Sequence, residues 1–137
     1  MELQVGVKVF LKNSEGKYPL LRKSPEKYPE VGPKWDIVGG RIEPGAPLME
    51  NLKREVHEET KLDLTETPTL IAAQDILRVP GRHVVRLTYT GTIEGEPQLD
   101  EEHLEHRWFT MEELKKLGED ELDMYFKELL DKGVVQQ

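Results

Sequence analysis

Two periods alternate along the hydrophobic positions of this chain. From residue 3 to 12, Val5, Val7, Val9 and Leu11 alternate with Gly6, Lys8, Phe10 and Lys12, the two-residue repeat of a strand. Asn13-Ser14-Glu15-Gly16 is a turn, and Tyr18 to Arg22 reads as the returning strand. Ser24 to Lys34 carries Pro25, Pro29, Gly32 and Pro33, which predicts a loop. Trp35-Asp36-Ile37 then predicts a strand that enters a tight turn at Gly39-Gly40, returns through Arg41-Ile42-Glu43 and breaks at Pro44-Gly45. There the period lengthens, because Met49, Leu52 and Val56 share a helical stripe and imply a helix docked by its apolar side. The shorter period returns in Thr69 to Val79 and, after Pro80-Gly81, in His83 to Thr92, where Val85, Leu87 and Tyr89 alternate as in an antiparallel hairpin. Ile93 to Leu99 holds Gly95 and Pro97 and reads as a loop. Thr110 and Glu113 form a capping box for a short helix that stops at Gly118. Residues 119 to 132 predict a second helix, with Leu122, Tyr125, Phe126, Leu129 and Leu130 on one face and a stop at Gly133.

These elements predict an α/β protein: a mixed sheet with one helix on one face and a carboxy-terminal helix on the other. The chain of 137 residues fits one domain, 1–137, large enough to bury a core without staples. Its net charge of -8 and the lack of a basic run exclude a polynucleotide partner. No cysteine is present, so no disulfide framework or thiolate nucleophile exists, and a cytoplasmic protein is expected. The first residues lack a basic region followed by an apolar one, and no apolar run approaches the roughly 20 residues of a membrane span. No membrane association is expected.

Chemistry concentrates in the first helix. At about 100° per residue, Glu55, Glu58 and Glu59 share one face beside the apolar stripe. Like charges at this spacing repel. A hard divalent cation offsets that repulsion, and Mg²⁺ is commonly held by one or two carboxylates together with substrate phosphates. Ordinary solvated helix charges are the competing reading of the same three residues. The glycines before the helix shift the balance, since a residue without Cβ lets backbone approach a ligand or metal closely.

The segment Gly40 to Leu62 resembles the box of the Nudix hydrolases, with Gly40, Arg54, Glu55, Val56, Glu58, Glu59 and Leu62 matching in register. Ala46 and Lys61 stand where the box has glutamate and glycine, and Val38 where many members have proline. Glu50, four residues before Arg54, is expected to supply the missing support for that arginine. Lys61 is expected to cost on the order of 1 kcal/mol if it keeps a glycine's left-handed geometry.

The resemblance implies an α/β/α sandwich and a pyrophosphohydrolase that cleaves a nucleoside diphosphate linked to another moiety, with Mg²⁺ or Mn²⁺ as cofactor. It implies Glu55 and Glu59 as principal metal ligands with the Gly39 carbonyl, Glu58 as a further ligand with a catalytic role, and Arg54 as the residue that orients them. Many members carry a glutamate just before a strand ending in Trp-Phe. Glu102 fits that place ahead of Trp108-Phe109, as ligand or general base, with Glu105 second. His103 and His106 read as surface histidines. Candidates for substrate phosphate are Arg22, Lys34, Arg78 and Arg86, with Lys23, Lys27, Arg82 and His83 nearby. Trp35, Tyr28, Tyr89 and Trp108 are candidates to stack on a base, or are core. The partner is a small nucleotide, and a homodimer is an allowed assembly. The competing function is a Nudix-like module that binds a nucleotide or protein without hydrolysis.

Overall fold

The computed structural model describes residues 1–24 and 34–135. Lys27, Tyr28, Pro25, Pro29, Gly32 and Pro33 lie outside the described residues. In chain order the strands are β1 (Glu2–Lys12), β2 (Tyr18–Lys23), β3 (Trp35–Asp36) and β4 (Val38–Arg41), followed by the helix α1 (Leu48–Thr60). The hairpin β5 (Thr69–Ile76) and β6 (Arg82–Thr92) comes next, then β7 (His103–Phe109), α2 (Met111–Lys116) and α3 (Met124–Asp131).

A four-stranded sheet runs in the order β4-β1-β6-β5. It is mixed: β1 pairs parallel with β6 and antiparallel with β4, while β5 and β6 form the antiparallel hairpin. β1 is interior and covered on both faces. Val7, Val9 and Leu11 meet Leu52 and Val56 of α1, whereas Phe10 points the other way into the cluster that holds Phe126 and Leu129 of α3. The layers are those of the predicted α/β/α sandwich.

Two local readings differ. β2 does not pair with β1 but joins β3 and β7 in a second, three-stranded sheet. Gly39 and Gly40 lie within β4, not in a tight turn, and pair with Lys8 and Val7 of β1. Gly39 has φ 143° and packs so closely that a Cβ there would lie 2.0 Å from the Val7 carbonyl oxygen. The carboxy-terminal helix is also shorter than its apolar spacing suggests. It begins at Met124 because the Asp123 carboxylate caps it, accepting from the backbone N–H groups of Tyr125 (3.1 Å) and Phe126 (2.9 Å). The Thr110–Glu113 capping box forms in both directions, as predicted.

Candidate active site

The last turn of α1 lies against the strand that bears the two glycines, and this sets the geometry of the site. The backbone N–H of Gly39 donates to Glu59 Oε1 at 3.2 Å. A Cβ on Gly40 would stand 2.6 Å from Glu55 Oε2, so glycine is what leaves room for that carboxylate. A cleft of about 510 Å³ is lined by Arg54, Glu55, Glu58, Glu59 and Lys61 from the helix side and by Asp100, Glu101 and Glu102 from the turn before β7. Glu102 therefore shares one cleft with the helix glutamates.

The three helix carboxylates are in different environments. Glu59 is only 4% exposed, and burial holds its carboxyl well above the usual carboxylate range, with Glu55 adding to the rise. Glu55 is largely buried and pairs with Arg54 Nη1 at 2.8 Å. Glu58 is exposed and lies 3.3 Å from the same nitrogen. No group of three His, Asp or Glu side chains is gathered closely enough to hold an ion among the described residues. The donor types nevertheless suit a hard cation, since carboxylates line one cleft.

Arg54 is held differently from the sequence expectation. Its guanidinium faces Glu43 (3.7 Å), Glu55, Glu58 and the Asn51 side-chain oxygen (3.0 Å), and Glu50 is not among its described partners. Glu50 sits instead in the first turn of α1, where its charge complements the helix dipole. Asn51 went unnoticed in the sequence. It is buried, accepts from the Glu43 backbone N–H at 2.8 Å, and donates to the carbonyls of Ala46 (3.0 Å) and Pro47 (2.9 Å). The available signal was an amide inside a helix, three residues before an arginine, a position that short polar side chains disfavour without a local partner. Lys61 keeps the left-handed geometry, with φ 63° and its N–H on the His57 carbonyl at 2.8 Å.

Two lysines also belong to this region. Lys8 places its ammonium 3.1 Å from Asp36, 3.1 Å from the Ile37 carbonyl and 3.4 Å from the Gly39 carbonyl. Lys23 titrates below its usual range because it is buried and because Lys8 is near, while Asp36, Glu59 and Glu102 act in the opposite direction.

Several expectations are corrected. Arg86 is buried at 4% exposure between Asp123 (2.9 Å) and Asp36 (3.2 Å), where both carboxylates already engage its guanidinium. Arg22 pairs with Glu105 across β2 and β7 and lies over the Trp35 ring, which also removes Glu105 from the cleft. Arg78 reaches Met124 and the Tyr125 ring rather than the cleft. Lys34 lies just before β3, partly buried. His103 is not a surface residue, since its side chain is 3% exposed, whereas His106 is partly exposed beside Glu96. Trp35 and Tyr89 are core, and Trp108 packs on the core with its indole N–H on Glu96 at 3.0 Å.

Residues 2–129 match the family model described as the NUDIX domain. The fold is similar to the crystal structure of the MutT protein from Methanosarcina mazei Go1, with 26% identity, TM-score 0.83, and 96% of this chain and 92% of that chain covered. The MutT NUDIX hydrolase from Burkholderia pseudomallei is similar at 25% identity and TM-score 0.77, covering 96% and 98%. The solution structure of the E. coli ORF135 protein shares the fold at 22% identity and TM-score 0.75, covering 96% and 88%. A comparison with curated proteins gave no match. No helix among the described residues is long and apolar enough to cross a membrane.

Proposed function

This chain belongs to the Nudix family and is a pyrophosphohydrolase acting on phosphoric anhydride bonds, and we propose that it cleaves a nucleoside diphosphate linked to another moiety in a divalent-metal-dependent reaction that releases a nucleoside monophosphate. The observation that carries this reading is the convergence of Glu55, Glu58, Glu59 and Glu102 on one cleft, with Gly40 lacking the Cβ that would collide with Glu55.

Glu55 and Glu59, with the Gly39 carbonyl, would hold Mg²⁺ or Mn²⁺, and Glu58 and Glu102 would complete or assist that site. A bound divalent cation screens the negative pyrophosphate, orients it and acidifies a water. The protein's own part is positioning and charge placement, which dominate phosphoryl-transfer catalysis. Arg54, held by Asn51 and Glu43, fixes Glu55 and Glu58 instead of touching substrate. Glu102, from the turn before β7, lines the same cleft and would serve as further ligand or general base. Lys8, near Glu59, adds positive charge beside the helix carboxylates. The cysteine-free, heavily charged composition supports a cytoplasmic enzyme.

The non-hydrolytic alternative rested on Ala46 and Lys61. Both departures are accommodated, the first by Asn51 and Glu43 around Arg54 and the second by a lysine in the left-handed conformation. The test is a panel of modified nucleoside triphosphates, ADP-ribose and dinucleoside polyphosphates with Mg²⁺ or Mn²⁺. At least one should yield a nucleoside monophosphate. Glu59→Gln should lower that rate by roughly 10³-fold or more, as for loss of an electrostatic catalytic group, with the fold intact by circular dichroism. No turnover on any substrate, or full activity in Glu59→Gln, overturns the proposal.

A further inference from the structure

We propose that the outer edge of β5 pairs with the same strand of a second copy of this chain, joining two four-stranded sheets across a twofold axis in an assembly independent of the reaction at the cleft.

The four-stranded sheet ends at β5, and no loop or helix backbone is bonded to the outer side of that strand among the described residues. A strand edge presents a row of unpaired N–H and C=O groups, and proteins that stay monomeric blunt such edges with lysine, proline, short length or a bulge. β5 has eight residues, Thr-Leu-Ile-Ala-Ala-Gln-Asp-Ile, and no lysine, arginine or proline. Its one charged side chain, Asp75, is engaged by His83 of β6 at 2.7 Å. The bulge it does carry falls between Leu70 and Ala72 and leaves Ala72 to Ile76 in regular register with β6. In a chain of net charge -8, whose copies repel one another, this ribbon is a nearly neutral line of approach.

The two ends of the strand identify the occupant. Leu70, near the start, is 52% exposed, and Leu77, just past the end, is 60% exposed. Exposed Glu66 precedes the strand and has no ion pair in its own chain among the described residues, while exposed Arg78 follows the strand. Antiparallel pairing of β5 with its copy lays the start of each strand beside the end of the other. Leu70 of one chain then comes near Leu77 of the other, and the acidic lead-in at Glu66 faces the basic end at Arg78, once on each side of the axis. A twofold interface needs a patch complementary to itself, and this strand supplies one. β4, which bears Gly39 and Gly40, is the opposite edge of the same sheet, so pairing through β5 leaves the cleft open.

Sedimentation velocity and amide hydrogen exchange on the full chain, from micromolar to near-millimolar concentration, test this. The wild type should pass from monomer to dimer as concentration rises, and amides within Ala72 to Ile76 should gain protection in parallel while those of β4 do not. Ala73→Lys sets two ammonium groups close to each other across the axis, and Leu70→Lys sets one near the partner's basic end. Each should raise the dimer dissociation constant by about 10-fold or more, as like charges facing across an interface do, with circular dichroism and nucleotide hydrolysis unchanged. A monomer at every concentration overturns the inference. A dimer that neither variant weakens, or one whose new protection lies outside β5, also overturns it, because the copies then meet through another surface. The exchange measurement uses the wild-type chain and does not depend on any variant folding.

Discussion

Asn51 shows how one side chain can replace a missing motif residue. With Ala46 in the box position that otherwise carries glutamate, the support for Arg54 passes to a buried amide that also ties Glu43, Ala46 and Pro47 to the first turns of α1. The helix has no side-chain cap at Pro47, and Asn51 instead ties the segment before the helix to its first turn. Asn51→Ala should therefore cost about 2 kcal/mol in urea unfolding, because it strands the buried Glu43 N–H and loosens Arg54. The same variant should lower kcat more than it raises KM if, as proposed, Arg54 positions carboxylates and does not hold substrate. Equal stability and kinetics would return the support role to another residue. The motif glutamates and Arg54 were readable at this scale because their spacing is set by the helix alone. Asn51 and Lys8 were not, because their value comes from partners brought close only by folding. His103 was misread for that reason: two residues from Glu101 in sequence, it looked solvated, yet its ring is enclosed against Glu59 of α1.

At the scale of elements, the site is the cleft between the last turns of α1 and the turn before β7, with β4 packed beneath Glu55 and Glu59. Glycines in sequence suggested a turn, and the physical reason they form a strand is the neighbour they need, since only a residue without Cβ can pair with β1 at Gly39 and face Glu55 at Gly40. Gly40→Ala should accordingly displace the Glu55 carboxylate while leaving the strand pairing in place. Metal affinity by calorimetry should fall by about 10-fold or more, as for a disturbed ligand shell, with unfolding by urea changed far less. Unaltered metal affinity would mean that Glu55 is not a ligand. Periodicity found β1, the β5–β6 hairpin and α1, because half-buried strands and amphipathic helices write their faces into the sequence. It did not show that β2 leaves β1 for a second sheet, since alternation records that a face is buried and not which strand lies beside it. Nor did it stop α3 at Met124, where the Asp123 cap prevails over an apolar spacing that continues back to Leu122.

The whole molecule is joined by a charge network around Arg86, a residue expected from sequence to meet substrate. Arg86 of β6 is bonded to Asp36 of β3 and Asp123 at the start of α3, while Lys8 of β1 completes the pairing of Asp36. These contacts tie the four-stranded sheet, the three-stranded sheet and the last helix together. Burial alone would raise the Asp36 pKa, yet Lys8 and Arg86 outweigh it and hold the group at about 2. An unfolded aspartate titrates near pH 3.9. Between about pH 4 and pH 2 the unfolded chain thus binds more protons at this group than the folded one. The stability it contributes is complete above that window and is lost as pH falls through it, amounting to roughly 2 kcal/mol. Arg86→Met removes a partner while leaving two buried carboxylates, which should cost about 3–5 kcal/mol at pH 7. The deficit should shrink at pH 4, because a carboxylate deprived of its cation titrates higher and can be neutralised by a proton, whereas wild-type Asp36 stays ionised there. Urea unfolding of both proteins at the two pH values measures the difference. A deficit that does not narrow would mean that Arg86 contributes packing rather than charge, and would leave the join between the sheets to the apolar clusters around Phe10 and Val9.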